Sequence, residues 1–125
     1  MPRMSKESAA HVDDGGPVTD RHEDLDGYTA NIVSLHEDVD LTPLLVGLPD
    51  DQCQCPHWGY VIAGTLTWTF TDREEVLGAG DAFYVPAGHT AKAAAGSEFV
   101  QFSPTPQHEL MVAAMEKNMQ AMRSS

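Results

Sequence analysis

Thr65-Leu66-Thr67-Trp68-Thr69-Phe70-Thr71 alternates without a break between threonine and a large apolar side chain. Successive side chains of a strand point to opposite faces, so Leu66, Trp68 and Phe70 share one face and the four threonines the other. Outward from this stretch the same short, β-rich runs recur over residues 31–35, 44–48, 57–63, 74–77, 82–85, 90–94 and 98–103, punctuated by Gly, Pro and Asp. Seven or eight short strands with no helix between them predict an all-β fold, an antiparallel barrel or sandwich, and exclude a parallel α/β sheet. After Pro104 and Pro106 the period turns helical. Met111, Met115, Met119 and Met122 recur at spacings of four, four and three, which predicts a C-terminal α-helix that closes one end of the barrel or packs in a dimer. Residues 1–26 show neither period and read as a flexible acidic N-terminal arm, leaving 27–105 for the barrel and 106–125 for the helix.

At 125 residues the chain has room for one domain. Its net charge of −12 repels nucleic-acid phosphates and anionic lipid, so neither is an expected partner. The acidity is uneven, with twelve acids and three bases in residues 1–51. No run is apolar enough to span a bilayer, and Met1-Pro2-Arg3-Met4-Ser5-Lys6 lacks a secretory apolar stretch, so a cytoplasmic location is expected. The two cysteines, one residue apart, are poorly placed for a disulfide and read as reactive thiols, metal ligands or inert core.

Those cysteines lie in Asp51-Gln52-Cys53-Gln54-Cys55-Pro56-His57, the densest run of metal-ligating side chains. In an extended segment residues 51, 53, 55 and 57 point the same way. Thiolate with imidazole suits zinc, copper or iron, not magnesium or calcium. His11, His22, His36 and His108 read as exposed, while Trp58 and Tyr60, opposite His57 in parity, read as outer-face residues. No phosphate-cradling loop, Ser-His-Asp order or paired catalytic carboxylates occurs.

A second segment, Gly80-Asp81-Ala82-Phe83-Tyr84-Val85-Pro86-Ala87-Gly88-His89, resembles the second motif of the cupin superfamily: a glycine, five residues, then Pro-x-Gly and a histidine. Tyr60-Val61-Ile62-Ala63-Gly64-Thr65-Leu66 resembles the close of the first cupin motif. The resemblance implies a jelly-roll barrel, the double-stranded β-helix, with a metal site inside. Registered on Gly64, it puts His57 where cupins carry a glutamate ligand, and Cys53 and Asp51 where they carry histidines. Ala91 takes the place of the last histidine, for which His89 is the available substitute. The ligand set that follows is Cys53, Cys55, His57 and His89, holding a divalent transition metal with zinc favoured and iron or copper the alternatives. Two functions follow from the resemblance: a metal-dependent enzyme acting on a small organic molecule in the barrel, or a non-catalytic metal- or ligand-binding cupin, a sensor or carrier. A homodimer is expected in either case.

Overall fold

A computed structural model describes residues 2–124. Its strands are β1 (His11–Asp14), β2 (Val18–Leu25), β3 (Tyr28–Leu35), β4 (Val39–Asp40), β5 (His57–Ala63), β6 (Thr65–Thr69), β7 (Glu74–Gly78), β8 (Ala82–Val85), β9 (Thr90–Ala93) and β10 (Glu98–Pro104), followed by helix α1 (Thr105–Ser124). They form a six-stranded sheet in the order β1-β2-β3-β10-β5-β8 and a four-stranded sheet in the order β4-β9-β6-β7. Every strand pair is antiparallel. The predicted all-β architecture with a C-terminal helix is therefore present, as two facing sheets rather than one continuously hydrogen-bonded cylinder. Leu66, Trp68 and Ala91 from the smaller sheet meet Val33, Leu35, Val61, Val85 and Phe99 from the larger, and this is the core. Burying side chains of this size contributes about 1.5–3 kcal/mol each.

The two sheets are joined at one tight corner. Gly64, with φ of +77°, carries the chain from β5 in one sheet to β6 in the other. Ser97, at the point where the chain crosses back into β10, accepts a hydrogen bond from the Thr65 amide and donates one to the Thr65 carbonyl, both at 2.9 Å. A Cβ on Gly64 would run into Ser97, its Cα atom included at 2.6 Å. The Ser97 backbone, and not its hydroxyl alone, blocks that space.

Two sequence expectations are corrected here. The expected flexible arm over residues 1–26 is largely sheet: β2 pairs with β3 along its whole length, and β1 with β2. The reason is polar rather than apolar. Thr19 donates to Asp14, Asn31 to Asp20 and Thr29 to Asp24, so the strand is fastened by side-chain hydrogen bonds that leave no hydrophobic period. Asp26 and Gly27, at φ of 54° and 88°, make the two-residue turn that closes the hairpin. Residues 44–48 are not a strand, because Pro43 starts a 3-10 turn over Thr42–Leu45. Leu45 is buried all the same.

Gly64→Ala combines the positive φ with the block at Ser97. It is expected to destabilise the protein by about 3 kcal/mol or more, read as a lowered urea midpoint with unchanged slope.

Candidate metal centre

The residues before β5 and the Pro86-Ala87-Gly88 turn are tied together by their backbones. The Cys53 amide donates to the His89 carbonyl at 2.8 Å, and the Gly88 amide returns a bond of 2.8 Å to the Cys53 carbonyl. Gly88 holds φ of +91°, which only glycine adopts freely, and that turn sets His89 opposite Cys53. His57 is the first residue of β5 and points inward, since Trp58 beside it is exposed. Three segments thus deliver one thiol and two imidazoles to one place. Their ligand atoms lie within 4.8 Å of one another, with Cys53 Sγ 3.8 Å from His57 Nε2. Ligands in a tetrahedral shell with bonds of 2.0–2.3 Å stand about 3.5 Å apart, so the cluster is close to that size.

Hydrogen bonds prepare the imidazoles as ligands. His89 Nδ1 lies 2.8 Å from the Pro86 carbonyl, which can only accept, so Nδ1 carries the proton and Nε2 keeps a lone pair. That Nε2 is buried and has no hydrogen-bond partner. A buried nitrogen lone pair with nothing to accept from is costly unless a cation or donor meets it. His57 Nδ1 lies 2.7 Å from Ser103 Oγ on β10, leaving its Nε2 toward Cys53. Burial, and next the neighbouring His89, push His57 down to about 3, and burial lowers His89 as well, so both rings are neutral at pH 7. Burial pushes the Cys53 thiol up to about 11. Without a metal it is a thiol, and binding an ion would release its proton.

Of the four expected ligands, Cys53, His57 and His89 come together and Cys55 does not. The Cys55 thiol donates to the Pro56 carbonyl at 3.5 Å and packs beside Leu45, Met111 and Met115. Burial, with the Cys53 charge adding to it, pushes it up to about 12. Asp51 is remote from the cluster because residues 49–51 turn rather than extend, with Asp51 at φ of 54° accepting from the Gly47 amide. The expectation that His108 is exposed is corrected: α1 packs it inward, where it is buried. Sequence reasoning missed the role of Trp68 at this centre. Its ring stacks on His57 with centroids 5.7 Å apart and meets His89 edge-on at 5.0 Å. Beyond it, a cavity of about 270 Å³ opens between Phe70, Arg73, Leu77, Phe83 and Val85.

The comparisons with known proteins agree with the fold. Residues 53–100 match the family model for the cupin domain. Similar solved structures include an RmlC-like cupin from Shewanella frigidimarina, 19% identical over 81% of this chain and 88% of that one, with a TM-score of 0.57. The polyketide cyclase RemF from Streptomyces resistomycificus is 16% identical over 83% of this chain and 79% of its own, at 0.56. A Rhizobium leguminosarum protein of unknown function is 16% identical over 82% and 95%, at 0.59. No curated protein matches the sequence. The chain therefore has the fold of a small cupin, and residues 53–100 carry the cupin-domain match. At such identities the structural likeness speaks for fold alone. Among the described residues no helix is long and apolar enough to cross a membrane.

Burial lowers His57, His89 and His108 below the ordinary 6.5, so the folded metal-free protein resists protons that the unfolded chain accepts. Stability from these groups is complete above about pH 6.5 and is lost as pH falls below it; Asp20, raised by burial, works in the opposite direction. The urea midpoint of metal-free protein is therefore expected to fall between about pH 7 and about pH 5. His108→Gln should make the fall shallower, and a flat profile would contradict the assignment.

Proposed function

We propose that this cupin binds a soft divalent transition metal through Cys53 Sγ, His57 Nε2 and His89 Nε2. The observation that carries the reading is the buried, unpartnered Nε2 of His89, aimed at a thiol and a second imidazole. One thiolate and two imidazoles fit zinc or copper. Around that ion the chain's own groups have defined tasks. The Pro86 carbonyl holds His89 in the tautomer that leaves Nε2 free, and Ser103 Oγ holds the His57 ring with its Nε2 toward Cys53, the orienting role that such groups play around ligating histidines. Trp68 covers the rings on the side of the cavity. A bound ion would supply Lewis acidity, or hold an electron, in a site shut away from water.

Both expected uses of the centre find support, and unequally. All three ligand side chains are 1–2% exposed, and Trp68 stands between them and the cavity. That enclosure supports a metal-binding cupin, a sensor or carrier whose ion is not directly approached by substrate. The cavity supports the enzyme reading, with room for a small organic molecule and with Arg73 stacked 4.2 Å above Phe70 at its mouth.

Protein purified without a tag is expected to hold about one metal ion per chain. His89→Ala should abolish it, and Ser103→Ala should weaken it roughly 10–100-fold, because the His57 ring loses its orienting partner. Unchanged metal content in His89→Ala, with fold confirmed by circular dichroism, would remove the basis of the reading.

The expected homodimer has a candidate face. Tyr28, Trp58, Tyr60, Ile62, Tyr84 and Phe102 lie together on the outside of the six-stranded sheet, each 41–56% exposed. At roughly 200 Å² for each whole side chain they offer about 550 Å², some two-thirds of the roughly 800 Å² that each partner contributes to a standard interface. None is charged at neutral pH, whereas the chain as a whole carries −12, so two copies repel least through this face. Light scattering at tens of micromolar should report a dimer, and Tyr60→Lys a monomer. A monomeric wild type would refute the pairing.

A further inference from the structure

The thiol of Cys53 has a second neighbour, from an element outside the cupin match. Met111 Sδ, on α1, lies 3.3 Å from Cys53 Sγ. This is no accident of a mobile side chain, for the helix is fixed at three points. The Thr105 amide donates to the Gly27 carbonyl at 3.0 Å. Asn118, seven residues after Met111 and so on the same helical face, donates to the Leu44 and Val46 carbonyls at 2.7 and 2.8 Å. Met115, one turn on, packs with Met111 against Leu45, Cys53 and Cys55. The helix is thereby held with its methionine face over the thiol.

Without a metal the contact is a weak S–H···S hydrogen bond, thiol donating and thioether accepting. Once the thiol gives up its proton to a metal, nothing on Cys53 is left to donate. Two sulfur atoms would then present lone pairs to each other at 3.3 Å, with the Cys55 amide donating to Cys53 Sγ at 3.4 Å but, among the described residues, nothing donating to Met111 Sδ, and a cation shared by both sulfurs relieves that. A thioether cannot be protonated, has no charge to lose on binding, and serves soft metals. Zinc sites are built from thiolate, imidazole and carboxylate. Two imidazoles, one thiolate and a more weakly held thioether form the donor set that suits copper.

We infer that Met111 Sδ is the fourth donor of this centre and that it makes the site selective for copper over zinc. The inference rests on the three-ligand reading proposed above and adds to it both a ligand and a metal. It also gives the C-terminal helix a task beyond covering the end of the barrel. The zinc favoured by the thiol and imidazoles alone gives way once the thioether is counted.

X-ray absorption at the copper edge, on full-length protein with its methionines labelled as selenomethionine, reads the contact directly. Copper-loaded wild type should show one selenium scatterer beside nitrogen and sulfur, and an intense visible thiolate-to-copper band. In Met111→Leu the selenium scatterer should vanish and the band shift, with copper binding weaker by at least the roughly 10–100-fold that loss of an orienting group costs. Zinc binding should stay as in wild type, which also shows that the variant is folded. Met115→Leu should keep the scatterer. Copper bound through thiolate with no selenium nearby would overturn the inference and leave the Cys53, His57 and His89 centre standing. Zinc bound in preference to copper by wild type would do the same. If Cys53→Ser and His89→Ala both bind copper as wild type does, the three-ligand reading fails and this inference with it.

Discussion

The centre depends on a pair of backbone hydrogen bonds between Cys53 and the Gly88-His89 turn. They are short, they join segments 35 residues apart, and no side chain contributes to them. Through them the loop before β5 is set against the turn after β8, so that a thiol and an imidazole face each other before any metal arrives. The remaining ligand follows from strand geometry, because His57 opens β5 and its inward parity is shared with Gly59 and Val61. Gly59 is packed so closely against the Val100 carbonyl and Phe83 that a Cβ would not fit, which fixes β5 between its neighbours. A centre held by backbone contacts keeps its spacing even while its side chains are neutral and protonated.

Electrostatics inside and outside the sheets are of opposite kinds. The surface carries the acids, and its ion pairs, such as Lys6 with Glu98 and Arg73 with Asp72 and Glu75, are exposed or partly so and contribute little each. The interior around Cys53 holds no fixed charge. Burial drives the thiols toward the protonated form and the imidazoles toward the neutral form, so the metal-free cluster is uncharged. A divalent ion entering such a place is favoured by ligation alone, with a thiolate formed in the act of binding. The −12 of the whole chain therefore says little about the centre and more about where two copies can touch.

Much of this was legible in the sequence, for reasons that can be named. Strands β5 and β8 were bounded to the residue because His57–Ala63 and Ala82–Val85 combine β-branched and aromatic residues with Gly and Pro at their ends. The Gly80–His89 motif points to the fold, and the spacing marks Cys53, His57 and His89 as candidate ligands, which the structure brings within 4.8 Å of one another. What escaped was set by tertiary context. Strand β2 is polar along almost all of its length, and only Asp26-Gly27, the two-residue turn that joins it to β3, marks it in the sequence. Cys55 shares the parity of Cys53 and His57, and the kinked chain before β5 nonetheless turns its thiol to Pro56. Met111 belonged to a stripe that reads as packing, and only the placement of α1 over Cys53 makes its sulfur a neighbour of the centre.

Anomalous diffraction at the metal edge, from crystals of the protein loaded with one equivalent of metal, tests the central claim most directly. A single strong peak is expected in the space bounded by Cys53 Sγ, His57 Nε2 and His89 Nε2. A peak instead at the surface cluster of His11, half-buried His22 and Asp13, where the two rings stack 5.1 Å apart, or no ordered peak at all, would contradict it.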